Sequence, residues 1–231
     1  MSQTPGIVVL ISGSGSNLQA IIDAVQSGAI KADIRAVISN RPGVQGLQRA
    51  AQAGIPHCVI DHKDFIERTA FDQALMQEID SHQPTLVVLA GFMRVLTPEF
   101  VRRYEGRLLN VHPSLLPDYR GLHTHARALE DGADWHGCSI HFVTAELDGG
   151  PVIIQARVNV AADDTEDSLA ARVQIQEHIV YPLVVQWFCQ GRLSVHEGKV
   201  RIDDQVLEKP LQLEHLGPSD RGTGNTSYSP S

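Results

Sequence analysis

The stretch Ile7-Val8-Val9-Leu10-Ile11-Ser12-Gly13-Ser14-Gly15-Ser16-Asn17 decides how this chain folds. A run of β-branched residues and leucine suits a strand covered on both faces, the condition of a parallel sheet. The glycine turn leads into Leu18, Ile21, Ile22 and Val25, apolar at helical spacing up to Gly28. Working outward, a helix is expected over 44–53, a short strand around 58–60, an amphipathic helix over 64–81 and a buried strand at 85–90. Such alternation gives the α/β class: a mostly parallel, Rossmann-like twisted sheet with helices on both faces. Residues 138–143 and 152–160 read as strands flanking Glu146-Leu147-Asp148-Gly149-Gly150, so an antiparallel part is expected toward the C-terminal half. The last long helix opens at Thr165-Glu166-Asp167 with a hydroxyl cap and acids in its first turn, and Pro182 is expected to kink it. Residues 193–206 read as a small hairpin. From Glu214 to Ser231 the chain is rich in Gly, Ser, Thr and Pro without an apolar period. One domain over 1–213 and a disordered tail over 214–231 are therefore expected.

At 231 residues, 42% hydrophobic and 20% charged, the chain can bury one sizeable core. Its 19 Lys and Arg against 27 Asp and Glu give a formal charge of -8, which argues against a nucleic-acid partner. Met1-Ser2-Gln3-Thr4-Pro5 has no basic region and the apolar run at 7–11 is short. Neither signal peptide nor membrane span is expected, and a cytoplasmic location follows. Cys58, Cys138 and Cys189 form no CxxC pair and read as small buried hydrophobes in a reducing compartment.

Free N–H groups at the start of the first helix, with the hydroxyls of Ser14 and Ser16, suit a phosphate. A dinucleotide fingerprint would need a third glycine where Leu18 stands and an acid where the second strand ends in Ser39-Asn40; a nucleotide P-loop would need a lysine after the glycines. All are missing. A small phosphomonoester fits best, the alternative being a glycine turn that only lets helix and strand pack.

The segment Asn110-Val111-His112-Pro113-Ser114-Leu115-Leu116-Pro117 places two hydrogen-bonding side chains two apart at the end of an apolar run, so on a strand they face one point. Pro113 and Pro117 stop the strand. An aspartate returning beside His112 would hold its tautomer, an arrangement that acyl transfer needs; Asp148 is the candidate, and also a plain turn former. Gly91-Phe92-Met93-Arg94-Val95-Leu96 follows a strand's carboxyl end, where open α/β sheets gather ligands; Phe92 and Met93 could pack on an aromatic ring, or Met93 and Leu96 serve the core. Glu177 falls within the apolar stripe of the last helix and is best used on substrate hydroxyl or amine groups. His112, His123, His125 and His136 crowd together, but HExxH is absent, and capping or supporting roles for His123 and His125 are expected rather than a metal site.

Together these blocks, with Gly121-Leu122-His123-Thr124-His125 and Leu147-Asp148-Gly149-Gly150-Pro151, closely resemble the phosphoribosylglycinamide formyltransferase family, folate-dependent enzymes of purine biosynthesis. The resemblance runs from Ile7 to about Leu193. Formyltetrahydrofolate hydrolase is similar around the Asn-x-His block but carries an extra N-terminal domain. Methionyl-tRNA formyltransferase is similar around Ser-Leu-Leu-Pro but adds a C-terminal RNA-binding domain, which is not expected here. The resemblance implies formyl transfer from 10-formyltetrahydrofolate to the amine of glycinamide ribonucleotide, without metal. By it, Asn110, His112 and Asp148 are catalytic, and Gly15, Ser16, Asn17 and Glu177 bind the substrate. Arg68, Met93, Arg94, Val95, Leu96 and Asn110 line the folate site. It leaves open whether the protein is a monomer or a homodimer.

Overall fold

The computed structural model describes residues 4–217. Its centre is β1 (Gly6–Ile11), every residue of which is buried. Alternate side chains serve two cores: Ile7, Val9 and Ile11 on one face, Val8 and Leu10 on the other. Each of these side chains contributes about 2 kcal/mol through burial.

β1 lies between β2 (Asp33–Ser39) and β4 (Leu86–Leu89), parallel to both. β3 (His57–Val59) extends the sheet beyond β2, and β5 (Leu108–His112) beyond β4. β6 (Trp135–Phe142), β7 (Val152–Asn159) and β11 (Leu211–Gln212) complete an eight-stranded sheet ordered β11-β7-β6-β5-β4-β1-β2-β3. β6 is antiparallel to both neighbours, and β11 parallel to β7, so the expected antiparallel part is a single reversed strand. A separate antiparallel sheet of β8 (Leu193–His196), β9 (Lys199–Ile202) and β10 (Gln205–Val206) stands where a hairpin was expected.

Helices α1 (Ser16–Gln26) and α6 (Glu166–Cys189) cover one face; α3 (Arg68–Ser81) and α4 (Pro98–Arg103) cover the other. α2 (Gln45–Gln52) and α5 (Thr124–Glu130) are short. α6 begins in a capping box: the Thr165 hydroxyl accepts the Ser168 N–H, and the Ser168 hydroxyl accepts that of Thr165. It continues through Pro182 as one helix. α3 starts later than its periodicity suggests. The Asp61 carboxylate accepts the Lys63 N–H and closes a 3₁₀ turn, His62–Asp64, after which Phe65 and Glu67 are extended. Cys138 is buried as expected, but Cys58 and Cys189 are half-buried, and burial pushes their thiols up to about 12 and about 11.

Glu214 does not begin a free tail. Leu213–His215 forms a 3₁₀ turn, and Glu214 accepts from the Arg157 guanidinium on β7. The rest of that expectation, 218–231, lies outside the described residues. Among the described residues no helix is long and apolar enough to cross a membrane.

Tyr181 of α6 fastens the helix to the sheet where the site forms. Its hydroxyl lies 3.0 Å from the carbonyl oxygens of both Leu89 and Leu109, in full burial. With a single hydrogen it serves one carbonyl at a time. Tyr181→Phe is expected to lower stability by about 1–2 kcal/mol, read as a lower urea midpoint with an unchanged slope.

Candidate active site

β1 and β4 are neighbours, yet the chain departs from them toward opposite edges of the sheet. A crevice opens at such a point outside the carboxyl ends of the strands. The loop after β1, the segment after β4 and the end of β5 all reach it.

The glycine loop turns at Gly15, the residue before α1, with φ of 69°. A Cβ there would meet the Cα of Gly46 at 2.6 Å, so this glycine also permits close packing against α2. Ser16 opens α1, and its hydroxyl accepts from the Gln174 amide at 3.1 Å. The Asn17 amide donates to Glu177 at 2.7 Å, while Asn17 Oδ1 is buried without a partner. Glu177 is buried, and desolvation raises its carboxyl above the ordinary 4.5 despite the bond from Asn17. Arg49 of α2 donates to the Ser14 carbonyl at 2.9 Å, setting a cation beside the loop.

On β5, Asn110 and His112 point the same way. Asn110 stands opposite His141 of β6, and the two side chains meet at 3.1 Å. The His141 Nδ1 faces the Phe142 carbonyl at 2.9 Å, which only accepts, so the hydrogen sits on Nδ1 and Nε2 receives the Asn110 amide. Burial lowers the pKa of His141, more than the Phe142 carbonyl and Asp148 raise it. The His112 Nε2 donates to the Tyr119 carbonyl at 3.0 Å, and its Nδ1 lies 3.4 Å from Asp148 Oδ2. Two acceptors thus face the two ring nitrogens, a set that satisfies both N–H groups of an imidazolium.

Asp148 is both turn former and partner. Its φ of 48° makes the turn, Oδ2 also accepts the Gly121 N–H at 2.9 Å, and Oδ1 is 3.9 Å from His141. Gly150 permits this return, since a Cβ there would overlap the Phe142 carbonyl. Ser139 fixes the proline-rich loop: its hydroxyl donates to the Ser114 carbonyl at 2.7 Å and accepts the Leu116 N–H at 3.0 Å.

Met93 and Val95 are 62% and 54% exposed. Arg94 lies over the Phe71 ring at 4.7 Å, and Leu96 packs against the core on that face. Phe92, offered above as a surface for a ring, is instead buried in that core. Arg68 is exposed at the start of α3, and among the described residues no hydrogen bond ties it to 93–96. His123 precedes α5 without a side-chain cap, and His125 meets His136 at 3.1 Å. Burial, then the neighbouring His125 and His112, push His136 down to about 4. Among the described residues no three His, Cys, Asp or Glu side chains cluster as a metal site would need.

Residues 6–185 match the family described as formyl transferase. The chain belongs to that family. It is 59% identical over 201 residues to the phosphoribosylglycinamide formyltransferase of Escherichia coli strain K12, covering 87% of this chain and 95% of that protein. The Haemophilus influenzae protein of the same name is 46% identical over 203 residues, covering 88% of this chain and 96% of its own. The solved phosphoribosylglycinamide formyltransferase of Coxiella burnetii matches with a TM-score of 0.87 at 51% identity, covering 91% of this chain and 99% of that one.

Three residues of this formyltransferase at the site escaped the sequence reading. His141 could have been found only from the β5–β6 register, and Arg49 and Gln174 reach the glycine loop from other helices.

The Glu177 shift has a consequence for stability. Its folded pKa lies above the unfolded one, so an ionised Glu177 opposes folding at higher pH, and this penalty is absent below about 4.5. Glu177→Gln, free of that charge, is expected to melt above wild type at pH ~8, with the difference vanishing below pH ~4.5 in a calorimetric pH series.

Proposed function

We propose that the chain transfers the formyl group of 10-formyltetrahydrofolate to the amine of glycinamide ribonucleotide, a step of de novo purine biosynthesis. The observation that carries this reading is the pairing of His112 with Asp148 at 3.4 Å, with Asn110 two residues earlier on β5 and joined to His141, itself 3.9 Å from Asp148. The similarity to formyltransferases over most of the chain supports it.

In this reading Gly15, Ser16 and Asn17 hold the substrate phosphate, with Arg49 adding charge, and Glu177 takes the sugar or glycinamide part. Arg68, Met93, Arg94, Val95 and Leu96 line the folate site together with Asn110. The amine attacks the formyl carbon, and the carbonyl oxygen becomes an oxyanion. Asn110, which spends one amide hydrogen on His141, gives its other to that oxygen. His112 exchanges the Tyr119 carbonyl for it. One such donor stabilises the transition state by ~3 kcal/mol. As the intermediate collapses, the attacking nitrogen loses a proton and the departing folate nitrogen gains one; Asp148 holds the charge of His112 and assists that transfer through water. Both folate and ribonucleotide are substrates, no metal takes part, and the setting is cytoplasmic. Residues 1–213 act as one formyltransferase domain.

Purified protein with both substrates is expected to release tetrahydrofolate, and to release none above background without the amine. Asn110→Ala, His112→Ala and Asp148→Ala should each reduce kcat by roughly a hundredfold or more while the Kd for the ribonucleotide changes less than about twofold. Wild-type turnover in all three variants would refute the assignment.

A further inference from the structure

Segment 93–97 is held at both ends by hydrogen bonds to side chains of other elements, while Arg94 over Phe71 and Leu96 against the core hold its middle. Met93 and Val95 project into solvent, so packing at these positions does not set the backbone. At one end Ser12, 3% exposed and directly after β1, accepts the Met93 N–H at 2.8 Å. Its single hydrogen goes to Oδ1 of buried Asn40 at 2.6 Å, which turns the oxygen lone pairs toward Met93. Asn40 is fixed in turn, its carbonyl receiving the His62 ring at 2.8 Å. At the other end Asp72 of α3, 1% exposed, accepts the Thr97 N–H through Oδ2 at 2.6 Å.

The Asp72 contact is costly. Oδ1 is buried without a partner, and a carboxylate with half its acceptors unused is a poor choice if the need is only to cap one N–H. Thr97 is also the residue before α4, whose own hydroxyl accepts the Phe100 N–H at 3.3 Å. Asp72 therefore fixes the point where the segment gives way to the helix. Ser12 fixes the point where it leaves β4, and the next residue after Ser12 begins the glycine loop.

We propose that Ser12 and Asp72 are positioning residues for the folate substrate, holding the backbone N–H groups of Met93 and Thr97 so that the groups between them face the site. The inference rests on reading 93–96 as the folate site. Ser12 ties that site to the loop assigned to the other substrate, so its loss falls on one substrate only if the tether, and not the glycine loop, depends on it.

The test uses the full chain with Ser12→Ala, Asp72→Ala and Asp72→Asn. KM is measured for each substrate, and hydrogen exchange is followed at the Met93 and Thr97 amides. Ser12→Ala and Asp72→Ala are expected to raise the folate KM about fivefold or more, with the ribonucleotide KM within about twofold. Asp72→Asn keeps an acceptor and should return the folate KM to within about twofold of wild type. Exchange should quicken at Met93 in the first variant and at Thr97 in the second. A folate KM unchanged in Ser12→Ala and Asp72→Ala, or a parallel rise for both substrates, overturns the proposal. If Asp72→Ala does not fold, Ser12→Ala decides the matter. A wild-type chain that binds no folate while both amides loosen as expected instead overturns the folate reading of the segment, which separates the two failures.

Discussion

Everything at the site depends on the burial of β1 from both sides. A strand with Ile7, Val9 and Ile11 in one core and Val8 and Leu10 in the other can sit only in the middle of a covered sheet. Its neighbours β2 and β4 then carry the chain away in opposite directions, and the crevice at their carboxyl ends follows from topology. The strand ends supply the chemistry: glycines and hydroxyls after β1, an exposed apolar segment after β4, Asn110 and His112 at the close of β5. No one segment holds all of these, but the order of the strands does.

Burial also sorts the histidines at this end of the sheet. His136 and His141 are withdrawn from water, and desolvation is the largest influence on each, holding both toward the neutral form. His141 then has one nitrogen committed to the Phe142 carbonyl and the other free to receive Asn110. His112 is placed differently: the carboxylate of Asp148 faces its Nδ1 more closely than it faces His141. A neutral ring that orients an amide and a ring faced by two acceptors thus stand side by side, set by small differences in what surrounds each.

The strands and their order of appearance were legible in the sequence because buried parallel strands write themselves as apolar runs. The glycine loop, the Thr165 cap and the Asn-x-His pair were legible for the same reason: each is a local signal spanning a few residues. Where a local signal competed with a side chain from nearby, the reading slipped. The periodicity of α3 extends back to Asp64, yet the Asp61 carboxylate takes the Lys63 N–H and converts that stretch to a 3₁₀ turn. Phe92 shows the same limit in reverse, since nothing in Gly-Phe-Met-Arg says which of two neighbouring apolar side chains turns inward. Arg49 and Gln174 were invisible because their importance lies in where α2 and α6 pack, not in their own surroundings along the chain.

Asp148 shows why the two readings of one residue need not compete. A turn former in the left-handed region and a carboxylate directed at His112 look like alternatives on paper. The turn carries the carboxylate because β6 and β7 approach closely enough at Gly150 that any side chain there would strike the Phe142 carbonyl. Without that approach the turn would open and Asp148 would move away from both His112 and the Gly121 N–H. Gly121 in turn belongs to the loop whose Tyr119 carbonyl occupies the His112 Nε2. The carboxylate therefore holds the His112 ring directly on one side and, through the loop, on the other, so its charge and its position in the turn are parts of one constraint.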